Sequence, residues 1–91
     1  MLVRLDLTKA QQAVQGGHAL ARYLLNVPND WPNGTLVYLG VKNEIHMEKW
    51  MYALDELGIE YKKWMEPDMN NQITALAAYT ERDIFRRLEC I

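Results

Sequence analysis

A chain of 91 residues, 49% hydrophobic and 24% charged, is long enough for one globular domain with a modest core and too apolar to be disordered. Its net charge of -2 and its pI near 5.6 exclude a general basic footprint for nucleic acid, so such a contact needs a local patch of the 10 Lys and Arg. The single cysteine, Cys90, excludes a disulfide framework or a cysteine zinc site within one chain, and it fits the reducing cytoplasm.

The opening Met1-Leu2-Val3-Arg4-Leu5-Asp6 is too short and too charged for a signal peptide, and no apolar run reaches the ~18 residues that cross a bilayer, so no membrane partner is expected. The alternation over 2–7 predicts a first strand. Thr8, with Gln11 three residues on, predicts a capped helix from Lys9 to about Asn26. Ala10, Ala13, Gly17 and Ala21 repeat at helical spacing and suggest a face of low bulk that sits close to a sheet. Gly16-Gly17 inside that helix costs roughly 1–2 kcal/mol relative to alanine, which close packing or a ligand has to offset.

Pro28, Pro32 and Gly34 mark a loop that Trp31 pins to the core. The apolar run over 35–41 reads as a strand buried on both faces. Asn43 caps a second helix over 44–57, which Gly58 stops, and Met47, Trp50, Met51, Leu54 and Leu57 line its core face. His46 falls in its first turn as an exposed polar residue. A third strand over 59–65, a polar turn over 66–71 and a fourth strand over 72–79 follow. Thr80, with Asp83 three residues later, predicts a last short helix ending near Leu88.

The expected fold is therefore α/β, a single domain over 1–91. It is a three-layer α/β/α arrangement on a four-stranded mixed sheet, with element order β-α-β-α-β-β-α. Helix crossovers make the first three strands parallel, and the short turn returns the fourth antiparallel. Ligands in such sheets bind outside the carboxyl ends of the strands. That edge collects Asp6, Thr8 and Lys9, then Lys42, Asn43 and Glu44, then Glu66, Asp68, Asn70 and Asn71, with Gln72 and Thr74 opening the fourth strand. The amino ends of the first two helices favour anions there. The two histidines and scattered carboxylates show no zinc spacing, and no cofactor is expected.

These residues resemble the type 2 peptidyl-tRNA hydrolase family. Arg4-Leu5-Asp6-Leu7 is similar to the end of the family's first strand, and Ala13-Val14-Gln15-Gly16-Gly17-His18-Ala19 to its first helix. Lys9 stands nine residues before His18, as the family's first lysine does, and Tyr23 also fits. Gln72-Ile73 resembles the end of the family's Asp-x-x-x-Thr-Gln-Ile segment. The departures are specific. The loop before Lys9 is about two residues shorter, Gln11 replaces a second lysine, and Asn71 replaces the threonine. Either Glu66 or Asp68 stands for the family's aspartate, and the glycine-rich end of the last strand is absent.

The resemblance implies hydrolysis of the ester between a peptide, or an N-blocked amino acid, and the 3′ end of tRNA. Lys9 then supplies charge at the oxyanion or a phosphate, and Asp68 or Glu66 orients the water or holds Lys9. Thr74 and Asn71 donate hydrogen bonds to substrate. Gln15, His18, Gln72, Arg82 and Arg86 belong to the substrate-binding set, with His18 closer to a structural role. Arg82, Arg86 and Arg87 form one basic patch and Lys62-Lys63 another, each with solvated faces as its plainer reading. The alternative is a non-catalytic binding or regulatory module on the same fold, favoured by the acidic pI and the lost lysine. A homodimer through Trp64 and Met65 is a further expectation, because family members are often dimeric.

Overall fold

The computed structural model describes residues 1–81 and 83–91, with Glu89 and Cys90 described by their backbone. The elements are β1 (Leu2–Arg4), α1 (Lys9–Asn26), β2 (Leu39–Val41), α2 (Glu44–Glu56), β3 (Tyr61–Glu66), a 3-10 turn (Pro67–Met69), β4 (Gln72–Ala78) and β5 (Glu89–Cys90). The expected mixed α/β sheet of four strands is present, and the two-residue β5 extends it to the order β3-β4-β1-β2-β5. β1 and β2 are parallel, and both β1 and β3 are antiparallel to β4. The first three strands therefore point the same way, with β4 running back between β3 and β1.

Side-chain alternation along the short β1 divides the core. Leu2 joins Leu39, Val41 and Leu76 with Met47 and Leu54 of α2. Val3 joins Ala75 and Ala77 with Ala19 and Tyr23 of α1. The Met and Trp stripe of α2 is core as expected, with Trp50 and Met51 packed against the first cluster, while Leu57 at the helix end is exposed.

The helix ends follow their sequence signals. Thr8 Oγ1 accepts from the Gln11 amide at 3.1 Å, and the Thr8 amide donates to Gln11 Oε1 at 2.9 Å, a complete capping box. Asn43 Oδ1 accepts from the His46 amide at 2.9 Å. At the other end of α2, Gly58 takes a φ of 69° that only glycine adopts freely. Its N–H donates to Asp55 O at 3.1 Å and that of Ile59 to Leu54 O at 3.0 Å, the paired bonds of a Schellman motif.

Three expectations are corrected. Ala10, Ala13, Gly17 and Ala21 face solvent, and the buried face of α1 is Gln12, Gln15, Gly16, Ala19 and Tyr23. The close approach falls on Gly16, where a Cβ would stand 2.5 Å from the Tyr38 ring. The run expected as a strand over 35–41 pairs only over Leu39–Val41, because β1 offers it three residues. No helix forms among the described residues of 80–88; the chain instead turns at Phe85–Leu88 and enters β5, antiparallel to β2.

The two helix glycines separate by experiment. A Cβ on Gly17 meets nothing within 4 Å, so Gly17→Ala is expected to stabilise the fold by about 0.5–1 kcal/mol through helix propensity. Gly16→Ala is expected to lower stability, because the Tyr38 ring has to move from a packed position. Urea unfolding of the two variants checks the opposite signs.

Candidate functional site

The carboxyl ends of β1, β2 and β3, the start of β4 and the amino ends of α1 and α2 share one edge of the sheet. The polar groups there are held by a buried guanidinium. Arg4, only 6% exposed, donates from Nε and NH2 to both Asp6 carboxylate oxygens at 2.9 and 2.8 Å. Its NH1 donates to Gln72 Oε1 at 2.9 Å and to Ile73 O at 3.2 Å. A buried strand position tolerates this charge because its donors are matched by a carboxylate and by neutral acceptors. Those hydrogen bonds hold the Asp6 carboxyl below its ordinary range and raise the Arg4 guanidinium still further. Glu44, in the first turn of α2, accepts from the Ile73 amide at 2.7 Å. The start of β4 is thus tied to β1 through Arg4 and to α2 through Glu44. Sequence reasoning uses Arg4 only as part of a motif; its signal is a charge inside an otherwise apolar strand.

Thr74 is fully buried, and its hydroxyl donates to Gln15 Oε1 of α1 at 2.6 Å. The pairing of β3 with β4 explains why it meets α1. Trp64 pairs with Ala75 and Met65 with Ile73, so Thr74 is the extra residue of a β-bulge. Ile73 packs on the α2 side, Leu76 likewise, while both Thr74 and Ala75 meet the α1 side. Thr74→Val is expected to cost about 1–3 kcal/mol in urea unfolding, because it leaves the buried Gln15 oxygen without a donor.

The turn between β3 and β4 is closed by the Asn71 amide on Glu66 O at 3.0 Å. Asn70 and Asn71 have φ of 53° and 59°, a region that asparagine tolerates and β-branched residues avoid.

The remaining candidates are less concentrated. Lys9 and Asp68 are both exposed, and neither side chain makes a hydrogen bond or ion pair among the described residues, where the ion pair is Arg4–Asp6. Glu66, half-buried, accepts from Trp64 Nε1 at 2.9 Å. The structure therefore brings Arg4, Asp6, Gln72 and Glu44 together around Ile73, joins Gln15 to Thr74, and does not pair Lys9 with either acid. His46 is more than an exposed polar group, since its Nδ1 accepts from the Lys42 amide at 3.1 Å. His18 is exposed and stacks on Trp64. Of the two expected dimer residues, Met65 is exposed and Trp64 half-buried.

Arg82 lies outside the described residues. Arg86 lines a cavity of about 520 Å³ with Met1, Tyr23, Trp31 and Tyr79, at the opposite end of the sheet. The patch expected from Arg82, Arg86 and Arg87 thus does not adjoin Lys9 through its described members. The wall of this cavity holds neither the Arg4 network nor Lys9. Among the described residues no three His, Cys, Asp or Glu side chains are grouped to hold a metal ion, and no helix is long and apolar enough to cross a membrane. No known family model matches the chain, and neither a curated protein nor a solved structure matches it.

Proposed function

We propose that this chain is a three-layer α/β/α domain that hydrolyses the ester joining a peptide, or an N-blocked amino acid, to the 3′ end of tRNA. The junction at Arg4 carries the reading. The segments that resemble the type 2 hydrolases, Arg4-Leu5-Asp6-Leu7 and Gln72-Ile73, are 68 residues apart from Arg4 to Gln72 and are joined by its guanidinium. A scaffold shared with that family accounts for both motifs and for their meeting at the strand ends where ligands bind.

The chemistry needs a water directed at the ester carbonyl, charge for the oxyanion that forms, and a proton for the departing ribose oxygen. Lys9, at the start of α1 and without an ion-pair partner among the described residues, is available for the oxyanion or an adjacent phosphate. Asp68 orients the water, because Glu66 is engaged by the Trp64 indole. The Asn71 side chain, exposed in the turn, contacts substrate. Gln15 and Thr74 set α1 against β4 and so fix where Lys9 starts.

One observation favours the alternative of a binding module without catalysis: Lys9 is not drawn to either acid. Incubation with peptidyl-tRNA separates the readings. Release of free tRNA supports the hydrolase, binding without release supports the module, and neither one removes both.

A further inference from the structure

Away from the Arg4 network, α1 and β3 build a second arrangement suited to recognition. His18 and Arg22 are four residues apart on α1 and so lie on one face. Both meet the indole of Trp64. The imidazole stacks on it with ring centroids 4.5 Å apart and planes 13° from parallel. The Arg22 guanidinium carbon is 5.7 Å from the indole centroid. The bond from Trp64 Nε1 to Glu66 fixes the indole in its plane.

His18 remains exposed, and among the described residues no second aromatic ring covers it. Arg22, Lys62 and Lys63 line a neighbouring groove of about 460 Å³ with Tyr61 and Met65. Two acids share that groove, and one of them, Asp55, accepts from the Tyr61 hydroxyl at 3.3 Å. β3 is the edge strand, so among the described residues no further strand covers its outer side.

An exposed ring held flat, with cations beside it, is the combination by which proteins seat unpaired nucleotides. The base stacks on the ring, and the basic groups follow the phosphates. We propose that His18, Trp64 and Arg22, with Lys62 on the same face of β3, form a platform for single-stranded RNA: one base stacks on His18 and the flanking phosphates lie along Arg22 and Lys62. This assignment rests on the hydrolase reading for its partner, the unpaired 3′ end of tRNA.

The test is fluorescence anisotropy with a labelled single-stranded RNA pentamer ending in cytidine-cytidine-adenosine, against the same sequence as a duplex. Trp64→Ala removes half-buried packing under α1, so the variants are the exposed His18→Ala and the half-buried Lys62→Glu. The wild type is expected to bind the single strand in preference to the duplex. His18→Ala is expected to weaken binding about tenfold. Lys62→Glu is expected to weaken it and to flatten its salt dependence. No wild-type binding, equal affinity for the duplex, or unchanged affinity in both variants overturns the platform. Turnover of peptidyl-tRNA with single-strand affinity unaffected by His18→Ala sinks the platform alone. Single-strand binding through His18 without turnover sinks the hydrolase reading and leaves the platform standing.

Discussion

Arg4→Ala is expected to lower the unfolding free energy by about 2–4 kcal/mol, the largest loss of any single polar substitution at the sheet edge. Four hydrogen bonds disappear at once, two to Asp6 and one each to Gln72 and Ile73. Bonds from a charged donor contribute about 1.5–3 kcal/mol each when made, and leaving a buried acceptor unpaired carries a further cost. Solvent near Asp6, whose side chain is 41% exposed, keeps the total below the simple sum. Arg4→Lys is expected to recover little, because an ammonium cannot reproduce the two-pronged contact with a carboxylate. Urea unfolding at constant m checks both variants. The pH dependence has a definite sign. Asp6 titrates lower when folded, chiefly because Arg4 donates hydrogen bonds to it. Its contribution is complete above the ordinary carboxylate range and fades as pH falls through the lowered value. The gap between wild type and Arg4→Ala is therefore expected to narrow in acid.

The helices were legible because their ends are local chemistry. Thr8 with Gln11, Asn43 and Gly58 each do in the structure what their types and spacing suggest. Strand direction was legible from connection lengths alone. Several of the failures share a cause, which is that the deciding partner lies on another element. The run 35–41 has strand composition throughout, but pairing ends where β1 ends. The α1 face was misjudged because Gln12 and Gln15 look like surface residues. Their amides are satisfied inside, by Leu7 O at 3.0 Å and by Thr74. The segment 80–88 carries a capping pattern but is shorter than the ~12–15 residues that hold a helix without packing. At the candidate site, the sequence placed Gln72 and Asp6 on one edge but left out the guanidinium between them. The bulge at Thr74 leaves no mark in composition, since an unpaired extra residue shows only against its partner strand.

Lys9→Ala is expected to reduce peptidyl-tRNA turnover about 10²–10³-fold, the size of effect seen when one oxyanion donor is removed. It is expected to leave the fold intact, because the Lys9 side chain is exposed and makes no hydrogen bond or ion pair among the described residues. That separation distinguishes it from Arg4→Ala, whose loss of activity would follow from loss of structure. The decisive measurement is the rate of free tRNA release from peptidyl-tRNA by wild type and Lys9→Ala at equal concentration, with the melting temperature of each recorded beside it. Turnover by the wild type that collapses in Lys9→Ala at unchanged melting temperature is the predicted result. Absence of wild-type turnover, or equal turnover by the two proteins, contradicts a hydrolase site at Lys9.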